Sequence, residues 1–187
     1  MSIDLDALNQ TIDSLKNLRK TLMEQAQGGI KGAFEGFLKA YPQVKTITWA
    51  QYTPYFNDGE ACEFNVNDPV FSPLSPELEA SSPYDFEGDD AAFYTGPRWE
   101  YEVVPNPNYD PTRHWSNKTI FQRVEGSEKY DPRTTPEMRE HINKLHALLC
   151  SYEMEDAMRH AFGNHVWVKA YLKDGKVQFD VNDYDHD

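Results

Sequence analysis

The densest run of chemically able groups is Asp85-Phe86-Glu87-Gly88-Asp89-Asp90, whose carboxylates recur two apart, as at the start of a calcium loop. Such a loop needs glycine at its sixth place and a bidentate Glu at its twelfth. Here the glycine comes fourth and Gly96 stands at the twelfth, so specific calcium binding is not expected. The six histidines, His114, His141, His146, His160, His165 and His186, form no H-E-x-x-H motif. None reads as paired with a cysteine at zinc spacing, and His160 and His165, flanking a helix end, read as surface or capping groups. Cys62 and Cys150 fall at apolar positions and are expected as reduced core thiols rather than nucleophiles. No nucleophile-elbow, phosphate-loop or dinucleotide pattern occurs. Carboxylate pairs for acid-base work exist in number, but nothing in their spacing makes one converge. The expectation is a chain with no catalytic residue, no metal and no cofactor.

Charge narrows the function classes. Among 187 residues, 31 acids oppose 18 bases, a formal net charge of -13. An electrostatic grip on nucleic-acid phosphates needs clustered Lys and Arg, and an anionic membrane surface needs the same, so neither partner is expected. The excess is local. Residues 1–67 carry a net of -2, residues 68–110 a net of -9 with Arg98 as their single base, residues 111–133 a net of +2 and residues 134–187 a net of -4. An aromatic share of 13% argues against a disordered acidic chain. The carboxylates Asp85, Glu87, Asp89, Asp90, Glu100 and Glu102, with the rings Tyr94, Trp99 and Tyr101, are therefore the candidate docking residues. Interface cores favour aromatics, and complementary charge steers encounter with a basic partner.

The elements that must position these groups follow from periodicity. Leu5, Leu8, Ile12, Leu15, Leu18 and Leu22 mark an amphipathic helix, which Gly28-Gly29 is expected to end or bend, and a second helical stretch carries Ile30, Phe34, Phe37, Leu38 and Tyr41 up to Pro42. The leucine seam spans under three heptads, so packing on the chain's own sheet is expected, with self-association as the alternative. Val44–Thr53 and Cys62–Val66 read as a hairpin around Asn57-Asp58-Gly59. Thr135 caps a helix that begins at Pro136, places Met138, Ile142, Leu145, Leu149 and Tyr152 on one face and stops at Gly163. A second hairpin then turns at Lys173-Asp174-Gly175-Lys176.

The two parts repeat in letters: Asp58-Gly59 before Phe64-Asn65-Val66-Asn67-Asp68 parallels Asp174-Gly175 before Phe179-Asp180-Val181-Asn182-Asp183. The expected fold is α+β in one domain. Two helix-hairpin (αββ) units, residues 1–67 and 133–187, would form a four-stranded antiparallel sheet with helices on one face and an open face opposite. Between them, residues 68–132 hold nine of the twelve prolines and many aromatics, an ordered acidic insertion in which Trp99–Val104 is the candidate for a short added strand.

The stretch Trp49-Ala50-Gln51-Tyr52-Thr53-Pro54-Tyr55-Phe56-Asn57-Asp58-Gly59 resembles a W-x-Q-Y-T-P-Y-F-N-D-G segment of small proteins encoded by tailed bacteriophages. The resemblance covers about a tenth of the chain and brings no catalytic residue with it; it implies phage origin. With the charge, the leading expectation is a non-enzymatic acidic protein that docks on a host or phage protein with a basic surface, as an inhibitor, an anti-defence factor or a DNA mimic. The alternatives are a small-molecule or nucleotide-binding protein with a pocket between sheet and insertion, and an assembly protein using the N-terminal helix. The start of the chain shows no signal-peptide pattern and no window approaches 18 apolar residues, so a cytoplasmic location is expected.

Overall fold

The computed structural model describes residues 5–55, 59, 62–78, 91–113 and 116–184. The fold is α+β. One helix, α1, runs unbroken over Leu5–Ala40 for 36 residues, about 54 Å at the α-helical rise. The expected break at Gly28-Gly29 is absent. Two glycines cost a helix about 1 kcal/mol each, and the turns that follow recover more by burying Ile30, Phe34, Phe37 and Leu38. The N-terminal half of α1 corrects a second expectation. Ile12, Leu15, Leu18 and Leu22 stay between 39% and 60% exposed, so the leucine seam does not pack on the sheet.

The central sheet is antiparallel and runs β2-β1-β6-β7, with β1 at Thr46–Tyr52, β2 at Asn65–Val66, β6 at Val166–Lys173 and β7 at Lys176–Asp183. A fifth strand, β3 at Val70–Ser72, shares with β2 the outer edge of β1, Gln51 and Tyr52 facing β2 and Thr46 to Thr48 facing β3. The second strand of the first unit is thus shorter than the expected Cys62–Val66, and Cys62 is exposed rather than in the core. The two units meet where β1 pairs with β6, Trp49 opposite Val168. The β6–β7 hairpin closes through Asp174 and Gly175 at φ 53° and 74°, the pair of positive values a two-residue primed turn requires.

Thr135 caps α2 (Pro136–Leu149) as expected, its hydroxyl accepting from the Met138 N–H at 3.1 Å. The helix stops at Cys150, earlier than expected. A 3-10 turn at Tyr152–Met154 leads into α3 (Glu155–Phe162), which leaves Tyr152 exposed rather than on the buried face.

The core lies between the sheet and the helices. Phe34 stacks on Trp49 with centroids 5.3 Å apart, Trp49 meets Phe162 edge-on at 5.3 Å, and Phe162 and Phe34 both reach Phe179. Gln51 is the buried polar tie. Its amide nitrogen donates to the carbonyls of Met158 and Gly163 at 3.1 and 2.6 Å while its oxygen accepts from the Trp49 indole at 3.1 Å. Gly163 supplies that carbonyl from φ 100°, ψ -168°, a conformation essentially confined to glycine. The opposite sheet face is not open as expected: Thr46, Thr48, Trp167 and Lys169 are buried there, and the Lys169 ammonium donates to the Pro76 carbonyl at 2.7 Å.

Candidate functional site

The insertion is clasped to the core before it projects. The insertion's first strand, β3, joins the central sheet, and there the Phe93 N–H donates to the Phe71 carbonyl at 2.7 Å and the Ser72 hydroxyl to the Ala91 carbonyl at 2.5 Å. At the far end of the insertion, Arg133 donates to the Ala92 carbonyl at 2.6 Å and to Asp131, while its guanidinium sits 4.9 Å above the Phe93 ring. Burial pushes the Asp131 carboxyl up, but the hydrogen bonds and charge of Arg133 outweigh it and hold the group below its ordinary value.

Beyond this clasp, Tyr101–Pro105 (β4) and Thr119–Arg123 (β5) pair antiparallel as a two-stranded sheet separate from the central one. Part of the expected Trp99–Val104 strand is therefore present. A backbone bridge between Arg98 and Lys129 closes its base, and Lys129 forms an ion pair with Glu100 that lowers the carboxyl and raises the ammonium from their ordinary values.

Strand alternation splits the hairpin's side chains into two faces. Tyr101, Val103, Phe121 and Arg123 share one face, with Val103 directly opposite Phe121. Tyr101, Val103 and Phe121 are 55%, 61% and 77% exposed, a contiguous apolar patch offered to solvent. Glu102, Val104, Ile120 and Gln122 form the other face.

The candidate docking residues distribute as follows. Tyr101 lies in the patch and Glu102 on the same strand. Glu100 is taken up by Lys129, and the rings of Tyr94 and Trp99 are each capped by a guanidinium, Arg98 and Arg123, at 4.0 Å. Asp85, Glu87, Asp89 and Asp90 lie outside the described residues, as does the calcium-like run they form. Within 91–132, six acids meet five bases, so the strong negative charge belongs to the chain just before this part of the insertion. Val103 and Phe121 were missed in the sequence because alternation does not tell which residue of one strand stands opposite which of the other.

Concave places lie elsewhere among the described residues. A depression of 290 Å³ lies between sheet and insertion, lined by Pro69, Val70, Phe71, Phe93, Tyr94 and Arg98 among others. A groove of 430 Å³ runs between α1 and α2, where the Tyr41 hydroxyl and His141 Nδ1 are 2.6 Å apart.

A cluster able to hold a metal lies at the end of α2, which corrects the reading that no histidine and cysteine pair at metal spacing. Ligand atoms of Asp68, His146 and Cys150 all fall within 4.8 Å of one another, with His146 Nε2 3.1 Å from the Asp68 carboxylate. Burial first, and then the charge of Asp68, push the Cys150 thiol up to about 11, the opposite of what a resting nucleophile needs. The His146-x-x-x-Cys150 spacing was visible in the sequence; Asp68, 78 positions away, was not. Among the described residues no helix is long and apolar enough to cross a membrane. Compared with protein-family models, curated proteins and solved structures, the chain matches none.

Proposed function

We propose that this chain is a non-enzymatic binding protein that docks on a protein with a basic surface, seating the Tyr101–Val103–Phe121 face of the β4–β5 hairpin on it. The observation that carries the reading is the exposure of those three side chains on a ribbon held at its base. A two-stranded ribbon is marginal in water, and an exposed apolar patch on an anchored element marks an interaction surface. Glu102 and the acidic run of 85–90 supply the steering field, and the phage resemblance of the first hairpin points to a host protein as the partner, bound in the cytoplasm. Reversing Asp85, Glu87, Asp89 and Asp90 to Lys is expected to lower the association rate about 10-fold or more at low salt, with little change at high salt. Equal rates for the two proteins at low salt, read by surface-immobilised binding to the captured partner, refute the steering role.

A second reading, self-assembly through α1, rests on the exposed Ile12, Leu15, Leu18 and Leu22. The α1 sequence runs from acidic Asp6 and Asp13 to basic Lys16, Arg19 and Lys20, so antiparallel pairing of two copies sets opposite charges together. Light scattering is expected to give a dimer for the native chain and a monomer for the Leu15→Glu, Leu22→Glu variant. The same mass for both removes this reading.

A further inference from the structure

We propose that Asp68, His146 and Cys150 form a binding site for a divalent cation of the zinc class, with a fourth position open to water. Three observations lead there. His146 and Cys150 are one helical turn apart at the end of α2, so their side chains project from the same face. This is the spacing by which a helix offers two ligands to one zinc ion. The backbone holds that pair in place: the Cys150 N–H donates to the His146 carbonyl at 3.0 Å, and the buried Ile142, Leu145 and Leu149 fix the face of α2 that turns inward.

Asp68 arrives from a different element, the connection between β2 and β3. The neighbouring Asn67 N–H donates to the Ala50 carbonyl at 2.9 Å, which ties that connection to β1. The 3.1 Å between His146 Nε2 and Asp68 Oδ1 is within a few tenths of the ~3.4 Å separating two ligands on one tetrahedral zinc, given Zn–N and Zn–O bonds of ~2.0–2.2 Å. The sulfur lies within 4.8 Å of both. The Asp68 side chain is 90% exposed, with solvent rather than protein around most of it.

The donor set selects the ion. One sulfur, one imidazole and one carboxylate form a borderline set that suits zinc and is foreign to calcium and magnesium, which take oxygen ligands. On binding, the Cys150 S–H bond breaks, its proton leaves to solvent and the sulfur's electron pair forms the metal bond. The exposure of Asp68 leaves the remaining tetrahedral position facing solvent, where water completes it.

Cobalt(II), a spectroscopic stand-in for zinc, tests the site on the full reduced chain. One equivalent is expected to bind with a thiolate-to-cobalt charge-transfer band and tetrahedral visible bands, both removed by zinc. Cys62→Ser keeps the charge-transfer band and Cys150→Ser loses it. His146→Ala and Asp68→Asn are each expected to weaken binding at least ~10-fold, the low end of what even the loss of a ligand's outer hydrogen-bond partner costs. Because the Asp68 side chain is exposed, Asp68→Asn keeps the fold, checked by circular dichroism, and reports on ligation alone. The proposal is overturned if the native chain shows no thiolate band, if Cys150→Ser retains it, if Cys62→Ser loses it, or if Asp68→Asn binds cobalt as tightly as the native chain.

Discussion

Replacing Trp49 with alanine is expected to destabilise the protein by about 3–5 kcal/mol, a large part of the roughly 5–15 kcal/mol that holds a domain folded. Trp49 is fully buried at the junction of three elements: its ring stacks on Phe34 of α1, meets Phe162 of α3 edge-on and is carried by β1. The change leaves a cavity and also removes the indole donor to Gln51, whose amide ties β1 to the carbonyls of Met158 and Gly163. Loss of one partner in a buried network adds to the cavity cost. Urea unfolding followed by circular dichroism is expected to show a lower midpoint at unchanged slope. Phe121→Ala, on a side chain that faces water, stays within about 0.5 kcal/mol of the native chain. A loss below 1 kcal/mol for Trp49→Ala would show that the aromatic junction is not what joins the units.

The second large effect is expected at Asp131, whose side chain is 1% exposed. Its carboxylate accepts from the Arg133 backbone N–H at 2.9 Å and from the guanidinium at 2.9 and 2.7 Å, while that guanidinium also holds the Ala92 carbonyl. Asp131→Asn leaves Arg133 without its counter-charge. Breaking a fully buried pair costs about 3–5 kcal/mol, and because Arg133 is 32% exposed, water offsets part of this, leaving about 2–3 kcal/mol. The pH dependence has a definite sign. A carboxyl held below its ordinary value stabilises the fold fully above the unfolded pKa of about 3.9, and that contribution is lost as pH falls through the lower folded value. The native chain is therefore expected to lose stability below about pH 4 along a limb that is shallower in Asp131→Asn. Parallel acid limbs in the two proteins would contradict the clasp.

Legibility followed the range of the interactions concerned. The β6–β7 turn and the start of α2 were readable because Asp174-Gly175 and Thr135-Pro136 act on their immediate neighbours. The continuity of α1 was not, since the cost of Gly28 and Gly29 is local and the gain at Phe34 and Leu38 comes from sheet and helices distant in sequence. The same holds for the leucine seam, where a regular apolar spacing looks alike whether it packs inward or faces water. The early end of α2 at Cys150 escaped because the apolar period runs on through Tyr152. At the candidate site, Tyr101 and Glu102 were found from composition. Phe121 and Val103 needed the pairing of β4 with β5, and Asp68 needed the path of the chain between β2 and β3.

Docking through the hairpin face is decided by affinity capture with a Tyr101→Ala, Phe121→Ala variant. Two exposed aromatics acting as interface anchors contribute about 2–4 kcal/mol, so the variant should bind the partner retained by the native chain roughly 30- to 800-fold more weakly. Its unfolding midpoint should stay unchanged. A Gln122→Ala control on the opposite face should bind within about threefold of native. Capture of the same partner at equal affinity by the Tyr101→Ala, Phe121→Ala variant would rule out docking through this face.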